Sequence, residues 1–317
     1  MTGTSGSDTI LYHVDGELVP VDEATVSVDD RGFRYGDAAF ETLRAYGGTV
    51  FEWDAHADRL DRTCETLGID HGLDRGDLRA RVDETLAANG LADAYVRLSI
   101  TRGVQPGKLT PHRAVDPTVV IWVKPLPRGG VGGSDVWDGP ATVQTVETRR
   151  IPNDALPAAA KTHNYLNGIL ARLELRGTGA DEALLLDGDG HLTEGATSNL
   201  FFVDGGVLKT PATDGPVLPG ITRRVVLDLA GDLGVPTAVG AYGRSAVEAA
   251  DEVFLTNSTW ELRPVARVDG TPVGEADGCG GPAQDPTDRV DHEVVDPGPV
   301  TGRLQSAFDR LVEECCY

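Results

Sequence analysis

The sequence predicts a mixed α/β protein with a small α/β domain followed by a larger, barrel-like domain. Two observations support this fold class. Strand-like segments precede and follow two amphipathic helical segments over residues 1–124, and four short strand-like segments follow one another over residues 182–210. The chain has 317 residues, of which 40% are hydrophobic, so it is long enough to bury one large or two modest cores.

The first domain is expected to span residues 1–124. Apolar residues at helical spacing predict two amphipathic helices, one over residues 55–67 and one around residues 78–86. The pair Gly47-Gly48 separates two strand-like segments and is typical of a hairpin turn. The strands expected in this domain cover residues 10–14, 17–19, 39–45, 49–51, 95–101 and 118–124.

The second domain is expected to span residues 134–317. Residues 125–133, PLPRGGVGG, combine proline and glycine with little apolar content and are interpreted as the linker before it. Residues 274–299 are rich in glycine, proline and aspartate, so we interpret them as an acidic surface insertion. The expected strands cover residues 142–147, 182–186, 191–193, 199–203, 207–210 and 252–256, and the helices 164–176, 221–233 and 301–314.

The charge balance limits the classes of partner. With 28 basic and 50 acidic residues the net charge is -22, which repels phosphate backbones, so no nucleic-acid partner is expected. Such a balance is typical of proteins from salt-accumulating halophiles, including haloarchaeal ones, and an ordinary acidic protein is the alternative. No apolar run is long enough to span a membrane and the N-terminus lacks a signal-peptide pattern, so no membrane association is expected.

The cysteines indicate a reducing compartment. The four of them lack zinc-like spacing, and a vicinal pair near the C-terminus is a poor disulfide framework. We therefore expect a cytoplasmic protein without a metal site. The cysteines are Cys64, Cys279, Cys315 and Cys316.

Two residues stand out as candidates for chemistry. Lys161 follows an alanine-rich stretch in a chain with few lysines, and burial there would favour the neutral, nucleophilic amine. Glu194 ends a predicted strand just before a glycine, where a carboxylate can hold a heterocyclic nitrogen protonated. The alternatives are a surface lysine ahead of a helix and a glutamate in an ordinary turn.

Two further segments carry anion-binding features. In 218–222, LPGIT, a glycine-containing loop opens a helix whose free N–H groups suit a phosphate. In 256–259, TNST, small donors follow a strand and are suited to complete a phosphate site. An ordinary helix cap and ordinary turn chemistry are the alternatives.

These segments, in this order, resemble the class IV aminotransferases, which are pyridoxal-phosphate enzymes of fold type IV. The resemblance covers about residues 10–270. Its segments are SVDDRGFRYGDAAFETLRAYGGTVFEWDAHADRL, KTHNYLNGILA, DEALLLDGDGHLTEGATSNLFFV, VLPGITR and DEVFLTNSTWELRPV.

The resemblance implies roles for individual residues. Lys161 matches the lysine that binds the cofactor aldehyde covalently and acts as the catalytic base, and Glu194 matches the partner of the pyridine nitrogen. Tyr165 is a candidate donor to the 3-oxygen of pyridoxal. The family forms homodimers that share active-site residues, which implies a homodimer here. The residues that match the phosphate site are Arg59, Ile221, Thr222 and Ser258.

The subfamily is predicted from the positions at which this sequence departs from the motifs of known subfamilies. FETLR replaces the FEGIR of branched-chain aminotransferases, and the run KTHNYLN is most similar to 4-amino-4-deoxychorismate lyases, which make p-aminobenzoate for folate synthesis. The lyase is therefore the favoured expectation, with a branched-chain or broad transaminase using 2-oxoglutarate as the alternative. A D-amino acid aminotransferase is disfavoured because Gly107 and Leu109 replace its Arg-x-His carboxylate trap. The substrate pocket is expected to involve Tyr35, Arg97 and the loop 103–111.

Overall fold

The computed structural model describes residues 9–128, 136–274 and 298–317. Its described residues form two compact units, the first within residues 1–133, 160–164 and 314–317 and the second within residues 134–159 and 165–313. From the sequence, residues 160–164 and 314–317 were expected in the second domain. The structure groups them with the first unit, since Thr162 pairs with Ala39 and the hydroxyl of Tyr317 donates to Asp93 at 2.5 Å.

The first unit is built on an antiparallel sheet of six strands in the order β2-β1-β6-β5-β3-β4. Its predicted strands and two amphipathic helices are present with shifted ends, and a short helix, α1, was not predicted. The elements are β1 (Leu11–Val14), β2 (Glu17–Pro20), α1 (Arg31–Tyr35), β3 (Ala38–Tyr46), β4 (Thr49–Val50), α2 (Trp53–Leu67), α3 (Arg75–Ala88), β5 (Ala94–Thr101) and β6 (Val119–Pro125).

Helices α2 and α3 cover the apolar face of this sheet. Helix α2 packs on β3, and α3 packs on β1, β5 and β6. The apolar positions that predicted the helices, among them Leu60, Leu78 and Val82, are buried in this core. Helix α3 begins with a capping box in which Asp74 and Asp77 each accept the other's backbone N–H. The predicted linker begins inside β6, and residues 129–133 of it lie outside the described residues.

The second unit contains the predicted barrel. Strands β10, β13, β14, β7, β8 and β9 pair in that order into a ring that closes between β9 and β10, and β11 and β12 extend it from β10. The strands are β7 (Ala141–Thr145), β8 (Glu182–Leu186), β9 (Leu192–Gly195), β10 (Asn199–Asp204), β11 (Val207–Pro211), β12 (Thr237–Gly240), β13 (Glu252–Asn257), β14 (Glu261–Val268) and β15 (Thr271–Pro272).

The described residues of the second unit also form the helices α4 (Leu166–Glu174), α5 (Ile221–Asp232), α6 (Arg244–Glu248) and α7 (Pro299–Cys316), the last three residues of α7 belonging to the first unit. None of the helices within the described residues is both long and apolar enough to cross a bilayer. Most of the predicted acidic insertion, residues 275–297, lies outside the described residues. The sheet also fixes a row of side chains, because Glu194 of β9 is paired with Asn199 of β10, which is paired with Thr256 of β13.

Candidate active site

Lys161 lies against the central strand of the first unit. Its carbonyl accepts the N–H of Phe40 at 3.0 Å, and its own N–H donates to the hydroxyl of Thr63 on α2 at 3.1 Å. The side chain is half-buried, and Nζ lies 4.5 Å from the centroid of the Phe40 ring. Because both backbone groups are bonded to ordered elements, the amine projects from a fixed point.

A buried charge cluster lies beside this lysine. Arg59 on α2 donates to both carboxylate oxygens of Glu41 on β3, and Nδ1 of His56 lies 2.7 Å from the same carboxylate. Burial alone would raise the pKa of Glu41, but the Arg59 guanidinium and the His56 hydrogen bond lower it to about 2. Burial lowers the pKa of His56, with Arg59 and Lys161 adding to the effect. The cluster therefore holds an ionised Glu41 at neutral pH.

Arg97 also lies against the ring of Phe40. Its guanidinium carbon is 3.7 Å from the centroid of the Phe40 ring. Within the described residues no ion pair joins Arg97 to a carboxylate. The neighbouring His163 has a ring nitrogen 3.2 Å from the hydroxyl of Ser99. Burial, followed by Arg97, lowers the pKa of His163 to about 4.

Tyr35 and the loop 103–111 belong to another part of the first unit. Tyr35 ends α1, and its ring is 4.9 Å from the guanidinium carbon of Arg31. The same guanidinium donates to the carbonyls of Lys108 and Leu109, so it fixes the loop relative to α1. Asp37 pairs with Arg31 and Arg102. The role predicted for Tyr35 in substrate binding stays a prediction.

In the second unit Glu194 sits at the end of β9. Its carboxylate accepts from Nε of Arg150 at 2.7 Å, from the N–H of Leu218 at 2.9 Å and from the amide of Asn199 at 3.4 Å. The side chain is 9% exposed. The structure therefore brings Glu194 next to the loop that opens α5, which sequence analysis had treated as a separate segment.

Helix α5 begins at Ile221 and Thr222, and both residues are buried. Its N-cap is Gly220, which offers no side-chain cap to the first N–H groups. A Cβ at Gly220 would lie 1.9 Å from Oδ1 of Asn199, so only glycine fits there without displacing that side chain. Tyr165 is the N-cap residue of α4, and Ser258 follows β13, half-buried.

A family model described as amino-transferase class IV matches residues 38–268. The chain belongs to the class IV aminotransferase family. The resemblance inferred from the motifs alone is thereby confirmed, as is the mixed α/β fold. The protein is an enzyme of a family whose members use pyridoxal 5′-phosphate.

Individual relatives of this class IV aminotransferase carry different activities in their names. A putative branched-chain-amino-acid aminotransferase of Methanocaldococcus jannaschii is 41% identical over 81% of this chain and 88% of its own. An aminodeoxychorismate lyase of Bacillus subtilis is 30% identical over 84% and 90%.

A solved structure is similar over nearly the whole chain. It is the crystal structure of the branched-chain aminotransferase of the thermophilic archaeon Thermoproteus uzoniensis with norvaline. It superposes with a TM-score of 0.83 at 30% identity, covering 96% of this chain and 95% of that chain.

The residues of the second unit fit a phosphorylated pyridine cofactor. The hydroxyl of Thr256 is buried and has no hydrogen-bond partner within the described residues, and α5 packs against the strand that carries it. An uncapped helix start and an unsatisfied buried hydroxyl suit a phosphate. Glu194 offers the carboxylate that a protonated ring nitrogen needs. The individual cofactor contacts of Arg59, Tyr165, Ile221, Thr222 and Ser258 stay predictions.

Several partners of the predicted site residues were not singled out from the sequence. Glu41 and His56 complete the Arg59 cluster, and Arg150 and Asn199 orient Glu194. Glu41 offered one signal, since an acid inside the apolar strand segment AAFETLRAY must be paired when buried. Arg150 offered none, because it stands in an irregular segment whose contact with Glu194 spans 44 residues of sequence.

Proposed function

We propose that this enzyme is a transaminase that acts on branched-chain amino acids with 2-oxoglutarate as acceptor. The observation that carries the proposal is the 41% identity, over 81% of the chain, to a relative named for branched-chain transamination. The preference for the lyase, made from FETLR and KTHNYLN, is not confirmed, because the relative named as a lyase is 30% identical.

The chemistry assigns a role to each cluster. Bound pyridoxal phosphate supplies the electron sink that stabilises negative charge at the substrate carbon. Lys161 is the base that moves the proton at that carbon. Glu194 keeps the proton on the ring nitrogen, and the start of α5 with Ser258 receives the phosphate. Arg59 is the arginine that the family resemblance adds to the phosphate site.

Arg97 is proposed to bind the substrate carboxylate. Its guanidinium lies over Phe40, whose ring is also next to Nζ of Lys161, and it lacks a carboxylate partner within the described residues. A cation held by a ring contact alone remains available to an incoming carboxylate. The Phe40 ring itself is buried, so in this proposal it orients the Arg97 guanidinium and the Lys161 amine.

The second candidate is the aminodeoxychorismate lyase. It is favoured by the run Lys161-Thr-His-Asn-Tyr165 and by the relative of Bacillus subtilis. Both candidates use Lys161 and Glu194, so they differ in substrate and not in the residues that hold the cofactor.

A substrate comparison separates the two. The purified enzyme, loaded with cofactor, is incubated either with leucine and 2-oxoglutarate or with aminodeoxychorismate alone. Formation of glutamate in the first mixture supports the transaminase. Formation of p-aminobenzoate and pyruvate in the second, with the first mixture inert, would establish the lyase instead.

The covalent role of Lys161 is tested separately. Borohydride reduction should fix the cofactor to the wild-type chain at Lys161, as read by peptide mass, and Lys161→Ala should abolish that adduct. Lys209→Ala is the matched control, since this lysine pairs with Asp204 at 2.5 Å in the second unit. An adduct that survives in Lys161→Ala would refute the assignment.

We also propose that the enzyme is a cytoplasmic homodimer adapted to concentrated salt. The net charge of -22 supports the salt adaptation, because such a surface repels itself unless counterions screen it. The homodimer rests on the family resemblance, and sedimentation analysis tests it.

A further inference from the structure

We propose that Arg150 is a positioning residue for Glu194, which it holds ionised and oriented so that the proton remains on the ring nitrogen of the cofactor. The inference rests on the role of Glu194 in the proposed function. It assigns to Arg150 a contribution to the electron sink without any contact between this arginine and the cofactor.

The carboxylate of Glu194 is fixed at both oxygens. Nε of Arg150 lies 2.7 Å from Oε1, and Oε2 accepts from the N–H of Leu218 at 2.9 Å and from Nδ2 of Asn199 at 3.4 Å. The Arg150 side chain is 20% exposed and that of Glu194 is 9% exposed. Donors on both oxygens oppose rotation of the carboxylate. The hydrogen bond from the charged donor, Arg150, is partly shielded from water, and this shielding strengthens it.

Arg150 is itself held by two parts of the second unit. Its N–H donates to the carbonyl of Leu186 at the end of β8 at 2.8 Å, and Nη1 lies 3.4 Å from Oδ1 of Asn167 on α4. Asn167 is anchored in turn, since its Nδ2 donates to the carbonyl of Arg149 at 2.9 Å. The guanidinium is therefore preorganised before Glu194 meets any ligand.

The positive charge of Arg150 disfavours protonation of Glu194. A guanidinium next to a carboxylate stabilises the ionised form and disfavours its protonation. When the carboxylate faces a protonated pyridine nitrogen, the arginine makes transfer of that proton to Glu194 less favourable. Removing the arginine charge therefore moves the shared proton towards Glu194, which leaves a neutral ring and a weaker electron sink.

The test uses the enzyme loaded with pyridoxal phosphate labelled with ¹⁵N in the ring. Arg150→Gln should shift the ring-nitrogen resonance towards that of a neutral pyridine. It should also lower kcat by about tenfold or more, the effect of about one unit in proton affinity, while KM for leucine changes by less than about threefold. Arg150→Lys keeps the charge and should restore most of the resonance position.

Arg149→Gln is the matched control. It removes the same charge one residue earlier, but Nη1 of Arg149 donates to the carbonyls of Val146 and Glu147 and makes no contact with Glu194. It should leave both the resonance and kcat close to wild type. Retained thermal midpoints and bound cofactor in all variants show that folding is intact.

The outcomes separate this inference from the proposed function. A shifted resonance in Glu194→Gln with an unshifted one in Arg150→Gln would overturn the positioning role alone. An unshifted resonance in both variants would overturn the role of Glu194 and with it the proposal for Arg150. An equal shift in Arg149→Gln and Arg150→Gln would show a general charge effect and would also overturn the positioning role.

Discussion

Arg59 and Glu41 form a bidentate ion pair in the interior of the first unit. Nε and Nη2 of Arg59 lie 2.8 Å and 2.6 Å from the two carboxylate oxygens, and the side chains are 4% and 1% exposed. The pair joins α2 to β3, the strand against which Lys161 lies. The arginine expected to bind phosphate is thus held by a carboxylate that fixes the direction of its guanidinium.

Removing the Glu41 charge should destabilise the fold. Glu41→Gln leaves the Arg59 guanidinium buried without its counter-charge, and we expect a loss of about 3 kcal/mol in the free energy of unfolding. Urea unfolding at neutral pH measures it. The matched control is Asp83→Asn, which breaks the pair with Arg79 on the surface of α3, where Asp83 is 46% exposed, and should cost less than about 1 kcal/mol.

The difference in unfolding free energy between wild type and Glu41→Gln should decrease at acid pH. The pKa of Glu41 is lowered from 4.5 to about 2 in the folded protein, so its stabilising contribution is complete above pH 4.5 and disappears as the pH falls towards 2. The difference between wild type and Glu41→Gln should therefore narrow over that interval. A difference that stays constant down to pH 2 would contradict the buried pair.

His163 should give the protein a second acid sensitivity, which begins at a higher pH than that of Glu41. Its pKa is lowered from 6.5 to about 4 by burial and then by Arg97, so the unfolded chain takes up a proton between these values while the folded one does not. Stability is unaffected above pH 6.5 and falls below it, by up to about 3 kcal/mol at pH 4. His163→Asn should flatten the dependence of the free energy of unfolding on pH between 6.5 and 4. The control His112→Asn, at an exposed residue, should leave that dependence as in wild type. Identical slopes in all three proteins would refute the assignment.

The strands and helices whose apolar residues recur at a clear spacing were predictable from the sequence. The segment predicted as strand 39–45 is β3, Ala38–Tyr46, and the helix predicted over 55–67 is α2, Trp53–Leu67. Strand β14 was missed because it contains Pro264, and a residue without an N–H argues against a strand inside a sheet. In the structure β14 nevertheless lies between β13 and β7.

The sequence singles out a candidate where a residue's chemistry is unusual in its surroundings, as for Lys161 and Glu194, and their roles stay predictions. The partners that orient them are common residues distant in sequence. Thr63, which accepts the N–H of Lys161, is 98 residues away, and Leu218, which donates to Glu194, is 24 residues away. No local pattern reports such contacts, because they arise from strand register and helix packing.

Salt should stabilise the enzyme. A net charge of -22 creates self-repulsion that is weakened as the screening length falls from about 10 Å at 0.1 M to about 3 Å at 1 M salt. We expect the thermal midpoint to rise by about 10 °C or more between these KCl concentrations, with activity following it. Full stability and activity in dilute buffer would refute the adaptation to salt.

Alanine substitutions at Gly220 and Gly231, at the start of α5 and within it, should distinguish an effect on cofactor binding from an effect on folding. At Gly220 a Cβ would lie 1.9 Å from Oδ1 of Asn199, the residue whose amide donates to Glu194 and to the carbonyl of Leu218. Gly220→Ala must therefore displace Asn199 or the start of α5. We expect it to weaken cofactor binding by about tenfold or more, an effect of about 1.4 kcal/mol measured by equilibrium titration of the cofactor-free enzyme.

Gly231→Ala is the control within the same helix, because a Cβ there meets nothing within 4 Å. Within a helix this substitution should raise the free energy of unfolding by about 0.5–1 kcal/mol and leave cofactor binding unchanged. Equal cofactor affinity in the two variants would show that the contact between Gly220 and Asn199 does not shape the phosphate end of the site. Weakened binding in Gly220→Ala alone ties the start of α5 and the orientation of Glu194 to one side chain, Asn199.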